Sequence, residues 1–360
     1  MSRTVYLHVG APKTGTTYLQ HRLALNTRTL AQHDVHYPSR HALADVTLSQ
    51  FRAALDLMGQ DWGGPSGHAQ GAWDATMRRV RRLDGTVVIS HEVLATATTD
   101  DVRRAMRDLR GSEVHVVYSA RDLARQVPAA WQEHVKQGGG TGYTRFARRM
   151  TRGNMWFARA FNLPQVLSTW GEGLPPERVH VVTVPHERGP NGDELWLRFC
   201  RALGIDPAWA PVESDVVNVS MGIAETQVLR RMNRRLEHAD RKDTAYARIV
   251  REKLAQGLLA NRRGSRVQLP PEHQAWATEQ AERWIEWIAG SGVDVVGDVA
   301  DLRPRELVSA DEWIDPNRAP AKAQLGAALD ALALMTREAA RREDPEARIS
   351  ARVRQKWRAR

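Results

Sequence analysis

The chain of 360 residues contains one cysteine, Cys200. A single thiol excludes an internal disulfide and any metal site built from several cysteines, and it agrees with a reducing compartment. Long apolar runs are absent as well. No segment approaches the roughly 18 apolar residues that span a membrane, and the stretch of residues 5–9 is too short for a secretory signal peptide. We therefore expect a cytoplasmic protein without a membrane span.

Acidic residues are outnumbered, with 42 Asp and Glu against 52 Lys and Arg and a formal net charge of +10. Such an excess attracts anions, and clustered cations can bind nucleic acid by releasing counterions. The arginine clusters at residues 78–82, 230–235 and 337–342 alternate with apolar residues at helical spacing, which is typical of solvated helix faces. We therefore expect an anionic ligand and no specific nucleic-acid partner.

Short apolar runs rich in valine recur at residues 4–9, 86–90, 114–119 and 179–184, separated by helix-like segments. Such runs are typical of parallel strands that are buried on both faces. The alternation predicts an α/β fold, with a doubly wound and mainly parallel sheet, a phosphate-binding loop of P-loop type and C-terminal helices. The main domain is expected to span residues 1–315, followed by a helical tail at residues 316–360.

The first strand runs into Gly10-Ala11-Pro12-Lys13-Thr14-Gly15-Thr16-Thr17, and a helix-like segment follows. A glycine-rich turn between a strand and a helix points backbone N–H groups at one spot, where the positive end of the helix dipole also lies. Lys13 adds a mobile positive charge, and the three threonines add hydroxyl donors. The segment predicts a phosphate site rather than an ordinary turn with capping threonines.

The order of the residues separates this loop from the ATP-binding Walker loop, in which Lys directly follows the last Gly. Here Lys13 precedes Gly15. The run Pro12-Lys13-Thr14-Gly15-Thr16-Thr17 resembles the 5′-phosphosulfate loop of sulfotransferases that use PAPS (3′-phosphoadenosine 5′-phosphosulfate). The resemblance implies that residues 1–315 form a sulfotransferase domain with these six residues in the donor site. It further implies in-line transfer of a sulfuryl group from PAPS to a hydroxyl or amine acceptor, with PAP as the product.

The family's second signature is an Arg at the end of a central strand, where it binds the 3′-phosphate of PAPS. Arg121, which follows the run of residues 116–120, matches this element. The family commonly has a Ser eight residues later, where this chain has Ala129. Loss of a charge-assisted bond costs on the order of 1–3 kcal/mol, so we expect a substitute donor. The three possibilities are Ser119, Arg125 and Gln132.

A third element is the basic segment Asn261-Arg262-Arg263-Gly264-Ser265-Arg266. It is similar to the loop that the family folds over the adenosine and the 3′-phosphate. This similarity implies that Arg262, Arg263 and Gly264 also bind the donor. A helix C-terminus stopped by Gly264 is the alternative interpretation.

Sulfuryl transfer requires a cation beside the departing phosphate oxygen and a base for the acceptor. Lys13 is the expected cation, and no metal is needed. The strand at residues 87–90 ends in His91 and Glu92, at the sheet edge where ligands of such folds bind. The resemblance favours Glu92 as the base, because carbohydrate sulfotransferases of the heparan type carry a Glu there. Cytosolic small-molecule sulfotransferases use a His near this place, so His91 stays open.

The acceptor is a small molecule, carbohydrate or lipid that the sequence does not define further. Residues 59–71, which include Trp62, predict a mobile loop over the acceptor. Two other classes of function compete with the sulfotransferase. A P-loop nucleotide kinase or phosphotransferase would require a carboxylate for Mg²⁺ and a Lys after the glycine. A non-catalytic protein that binds nucleotides or nucleic acids would fit Ala129 and the many arginines.

Overall fold

The computed structural model describes residues 3–41, 44–187, 189, 192–215, 220–242, 244–305 and 308–341. The last part of the expected tail, residues 342–360, lies outside the described residues. None of the described helices is both long enough and apolar enough to cross a membrane.

The described strands are β1 (Arg3–His8), β2 (Val35–His36), β3 (Thr86–Ser90), β4 (Ser112–Ala120), β5 (Val179–Thr183) and β6 (Asp294–Val296). The described α-helices are α1 (Thr16–Leu25), α2 (Thr27–Ala31), α3 (Val46–Leu57), α4 (Ala72–Val80), α5 (Thr99–Asp108), α6 (Leu123–Lys136), α7 (Tyr143–Thr151), α8 (Trp156–Phe161), α9 (Leu163–Trp170), α10 (Glu194–Leu203), α11 (Ile223–Asn233), α12 (His238–Lys242), α13 (Thr244–Tyr246), α14 (Gln274–Ser291) and α15 (Ala321–Ala340). Shorter 3₁₀ turns lie at Glu92–Thr96, Pro176–Arg178, Pro207–Trp209, Leu259–Asn261, Pro271–His273, Val299–Leu302 and Pro316–Arg318, and a π-helical segment spans Ala247–Gln256.

Residues 1–134, 141–218 and 267–315 form a first compact unit, which contains the sheet. Among its described residues, six parallel strands lie in the order β2-β3-β1-β4-β5-β6. β1 has β3 on one side and β4 on the other, so the direction in which strands are added reverses beside β1. Ligands of open α/β sheets bind at such a reversal, outside the carboxyl ends of the strands. The predicted α/β fold with a parallel sheet is therefore confirmed.

One face of the sheet is covered by α1 and α10. Leu19 and Leu23 of α1 and Trp196 and Phe199 of α10 are fully buried there, in one cluster with valines of β3, β4 and β5. Complete burial of a side chain of this size contributes about 1.5–3 kcal/mol. This packing holds α1 firmly on the sheet, and with it the loop that precedes the helix.

The opposite face is covered by α8 and α9. The Tyr118 hydroxyl of β4 donates a hydrogen bond to the carbonyl of Ala160 in α8, at 2.9 Å. Trp170 of α9 is fully buried, and its indole N–H donates to the carbonyl of Leu94 at 2.9 Å. Helices therefore lie on both faces, as the doubly wound prediction requires.

Residues 135–140, 219–266 and 316–360 form the second compact unit. Its described part contains α11, α12, α13, the π-helical segment, α15 and the 3₁₀ turns at Leu259–Asn261 and Pro316–Arg318. Within it, Asn233 donates to the carbonyls of Val135 and Gly139 at 2.7 and 3.0 Å, and Tyr246 donates to Asn233 at 2.7 Å. The described residues 316–341 thus share a unit with residues 219–266. The functional division at residue 315 stays a prediction.

Candidate functional site

The loop after β1 continues alongside β4 before it turns. The N–H groups of Val9 and Ala11 donate to the carbonyls of Val117 and Ser119 at 2.9 and 3.0 Å. Lys13 then takes a φ of +69°, a conformation that residues other than glycine rarely adopt. The chain therefore turns sharply at the carboxyl edge of the sheet, at the lysine that the sequence singled out.

The turn ends at Gly15, which precedes α1 with a φ of +91° and no capping side chain. The first bond within the helix runs from the N–H of Leu19 to the carbonyl of Gly15, at 3.1 Å. The N–H groups of Thr16, Thr17 and Tyr18 therefore have no acceptor within the helix. They lie at the positive end of the helix dipole and can bind an oxyanion.

Arg121 follows β4 and is brought to this loop. Its guanidinium donates to the backbone carbonyl of Lys13 at 3.0 Å. From α6, Gln126 donates to the carbonyl of Pro12 at 2.8 Å. Two carbonyls of the loop are thus bound by side chains that follow β4. The second predicted signature residue lies beside the first.

Lys13 has a partner that sequence reasoning missed. Its ammonium lies 3.1 Å from a carboxylate oxygen of Glu133, with the two side chains 28% and 13% exposed. Glu133 lies on α6, four residues after Ala129, and positions four apart share a helix face. The helix face that lacks the family's Ser therefore carries a carboxylate one turn later. The spacing of four residues between Ala129 and Glu133 is the sequence signal that would have predicted this carboxylate beside the donor site.

The candidates for the substitute donor have partners within the protein. The Ser119 hydroxyl lies 2.9 Å from Nε2 of His8. Arg125 forms a close ion pair with Asp122 and donates to the carbonyl of Pro185 at 3.1 Å. The third candidate, Gln132, is buried. Which donor replaces the Ser stays open.

Glu92 lies at the end of β3, at the same carboxyl edge, with its side chain 25% exposed. Burial alone would raise the pKa of this carboxyl. His91, the backbone N–H of Glu92 and the Gln20 amide outweigh this effect and lower the pKa below its ordinary value. The charge of Lys13 acts in the same direction. Glu92 is therefore ionised at neutral pH and able to accept a proton.

His91 is less suited to that role. Its Nδ1 accepts a hydrogen bond from the backbone N–H of Val93 at 3.2 Å and so caps the short helix that follows. Burial lowers the pKa of His91 below its ordinary value. With Nδ1 occupied as an acceptor, the neutral ring carries its proton on Nε2 and presents a donor there. This geometry favours Glu92 over His91 as the base.

Aromatic side chains lie next to His91. Phe51 of α3 lies 5.0 Å from the His91 ring and 5.3 Å from the Trp62 ring, measured between ring centroids. The His68 ring also lies near Phe51, with 6.3 Å between the ring centroids. Trp62 is 45% exposed. Residues 59–71 are the segment that the sequence predicts to cover an acceptor. Phe51 therefore links this segment to His91, which precedes Glu92.

The Arg262 to Gly264 segment belongs to the second unit. Arg262 donates to Glu225 at 2.9 Å and forms a close ion pair with Asp330 of α15. Gly264 packs against Gly222, where an added Cβ would lie 3.1 Å from the Gly222 Cα. Arg263 is exposed. The role of these three residues in donor binding stays a prediction.

No group of three or more His, Cys, Asp or Glu side chains in the described part of the chain is arranged to hold a metal ion. Metal-free transfer stays a prediction.

The sheet order and the loop define an α/β protein with a strand, loop and helix unit at the point where the strand order reverses. Among solved structures, the chain is similar to the crystal structure of a sulfotransferase from Alicyclobacillus acidocaldarius, with 16% identity and a TM-score of 0.38. The alignment covers 69% of this chain and 100% of that chain. No protein-family model and no curated protein matches the chain. Similarity at this level assigns no function, which depends instead on the site residues.

Proposed function

We propose that the protein is a sulfotransferase that uses PAPS as the donor. The observation that carries this proposal is the contact between Arg121, which follows β4, and the loop before α1, where the Arg121 guanidinium donates to the carbonyl of Lys13 at 3.0 Å. Two cationic side chains that meet at one loop, Lys13 within it and Arg121 from the end of β4, suit a ligand with two anionic groups. PAPS has a phosphosulfate at its 5′ end and a phosphate at its 3′ end.

The residues of the loop fit the 5′ end of this donor. The N–H groups of Thr16 and Thr17 at the uncapped start of α1 are suited to phosphate oxygens. Gly15 has a φ of +91°, which residues with a Cβ rarely adopt, and an added Cβ would also lie 2.5 Å from Leu195 Cδ2, so the turn favours glycine there. Thr14 holds the turn from within, since its hydroxyl donates to the carbonyl of Ala11 at 2.6 Å, and Gln126 holds it from α6 by donating to the carbonyl of Pro12 at 2.8 Å.

Glu92 is the proposed base, and Lys13 is the proposed cation beside the leaving group. In the proposed reaction, the acceptor oxygen or nitrogen forms a bond to sulfur while the bond from sulfur to the phosphate oxygen breaks. The acceptor proton passes to the Glu92 carboxylate, and the departing oxygen leaves with the bonding electrons. Lys13 stabilises the negative charge that develops on that oxygen. A positioned base of this kind contributes about 10²- to 10⁴-fold to the rate.

Binding of PAP separates this function from its competitors. Isothermal titration calorimetry with PAP, and with ATP plus Mg²⁺, should show binding of PAP in preference to ATP. Binding of ATP without binding of PAP would instead indicate a P-loop kinase or phosphotransferase. Salt-dependent DNA binding with no turnover of PAPS would indicate a nucleic-acid-binding protein.

The base is tested by a pair of variants. We expect Glu92→Gln to abolish transfer and to retain PAP affinity, because the amide keeps the shape of the side chain but cannot accept the proton. His91→Gln is the matched control, and it should keep most of the activity. Transfer of ³⁵S from labelled PAPS to a panel of sugars, phenols and lipids provides the readout and identifies the acceptor. Equal turnover by Glu92→Gln and the wild type would reject Glu92 as the base.

A further inference from the structure

A layer of polar side chains is buried beneath the loop, near the carboxyl ends of three strands. His8 of β1 is fully buried, with Nδ1 2.7 Å from Ser90 Oγ of β3 and Nε2 2.9 Å from Ser119 Oγ of β4. His8 and Ser90 are direct partners in the sheet register. Burial lowers the pKa of His8 to about 4. The ring is therefore neutral at neutral pH, so one nitrogen donates and the other accepts.

Gln20 of α1 connects this layer to Glu92. Its side chain is buried, and the amide nitrogen lies 3.2 Å from Glu92 Oε2, 3.3 Å from the Ser90 carbonyl and 3.4 Å from Ser90 Oγ. An amide nitrogen only donates hydrogen bonds. The Glu92 oxygen that faces Gln20 must therefore accept. A donor bonds more strongly to a charged carboxylate than to a neutral carboxyl group, so this contact favours the ionised form of Glu92.

We propose that Gln20 is a positioning residue, which holds the Glu92 carboxylate ionised and at a fixed place relative to the start of α1. Gln20 lies one turn after Thr16, so the helix whose first turn faces the donor also holds the base. This inference depends on the proposed role of Glu92. It adds that a displacement of α1 would move the base together with the donor site, because the buried amide joins them.

Gln50 of α3 provides a matched control. It is buried like Gln20 and also bonds to Ser90, since its amide oxygen accepts from the backbone N–H of Ser90 at 3.1 Å. Its amide nitrogen donates to the carbonyl of Pro38 at 2.7 Å rather than to Glu92. Gln20→Met and Gln50→Met therefore each remove a buried amide next to Ser90, and only the first removes a contact to Glu92.

The test is a pH titration of the Glu92 side-chain carboxyl by ¹³C NMR on the full chain, with the resonance assigned from Glu92→Gln. In Gln20→Met, we expect the midpoint to rise above the wild-type value, because a bond to the ionised form is lost. In Gln50→Met, it should stay in place. The other titratable groups that interact with Glu92 are unchanged in both variants, namely His8, Tyr37, His91 and Lys13.

Kinetics give a second readout. With the acceptor found by the ³⁵S screen, Gln20→Met should lower kcat by up to about 100-fold, as expected for a misplaced catalytic group, with the KM for PAPS unchanged.

If circular dichroism shows that Gln20→Met does not fold, Gln20→Asn replaces it, since the amide is kept on a side chain one methylene shorter. A Glu92 midpoint that stays at the wild-type value in the Gln20 variant, or that shifts equally in the Gln50 variant, would overturn the inference. Failure of the wild type to bind PAP would reject the proposed function, whereas the titration would still show whether Gln20 holds Glu92.

Discussion

The ion pair between Lys13 and Glu133 makes a quantitative prediction about donor binding. Lys13 lies 3.1 Å from Glu133, and both side chains are less than one third exposed. Exposed pairs contribute about 0.2–1 kcal/mol, and breaking a buried pair costs about 3–5 kcal/mol. This pair lies between the two cases, so we assign it about 1–2 kcal/mol. A phosphate that binds the Lys13 ammonium in place of Glu133 must offset the free energy of this ion pair. It must also approach the negative charge of the Glu133 carboxylate.

Glu133→Gln removes the competing charge and keeps the shape of the side chain. We therefore expect PAP to bind roughly 5- to 30-fold more tightly to this variant, the ratio that corresponds to about 1–2 kcal/mol. Isothermal titration calorimetry at low and moderate salt measures the difference. Glu177→Gln makes the same change in net charge at an exposed residue just before β5, at the opposite edge of the sheet, and should leave the affinity unchanged.

Weaker PAP binding by Glu133→Gln would refute this reasoning, as would an equal gain in the Glu177 control. A third result would reassign the base. If Glu133→Gln bound PAP tightly but transferred no sulfuryl group, while Glu92→Gln remained active, the acceptor proton would pass to Glu133.

Three further outcomes are expected. Arg121→Ala should weaken PAP binding by roughly 10- to 100-fold in calorimetry, since a hydrogen bond to a charged group contributes about 1.5–3 kcal/mol; unchanged affinity would remove Arg121 from the donor site. Gly15→Ala should lower Tm in scanning calorimetry by more than Gly173→Ala, because both glycines have positive φ but only the Cβ at Gly15 would meet a neighbour, Leu195 at 2.5 Å. The free energy of unfolding should fall as the pH drops from 6.5 towards 4, because burial lowers the pKa of His8 to about 4 and the unfolded chain takes up the proton first. The loss approaches about 3 kcal/mol, and denaturant titrations of His8→Gln should lack it.

The sheet could be predicted from the sequence where its strands are long enough to show a pattern. Continuous valine-rich runs marked β1, β3, β4 and β5, because strands buried on both faces need apolar side chains at every position. β2 and β6 have two and three residues, which is too short for any periodicity. They form strands because β3 and β5 provide hydrogen-bonding edges for them. These edges exist only in the tertiary structure and leave no pattern in the sequence.

The candidate site divides in the same way. Lys13, Arg121 and Glu92 follow strands directly, so topology alone brings them to one edge of the sheet. Gln20 and Glu133 lie on helices, and their contacts depend on how α1 and α6 rotate against the strands. The alternation of apolar residues around a helix gives its buried face only coarsely. It does not show which buried polar side chain meets which strand end.

The positive net charge is not spread evenly along the chain, and this changes the expectation that the overall charge attracts an anionic ligand. Residues 135–140, 219–266 and 316–360 contain 24 Lys and Arg against 10 Asp and Glu, which leaves 28 against 32 for the unit that holds the sheet. The net charge of +10 therefore belongs to the second unit, and the sheet unit is slightly acidic. Within the sheet unit, an anion at the loop is attracted by Lys13, Arg121 and the uncapped start of α1, because this unit has no net positive charge of its own. The Glu133 carboxylate matters for this reason. The local positive charge at the loop comes from few groups, and one carboxylate beside Lys13 cancels a large part of it.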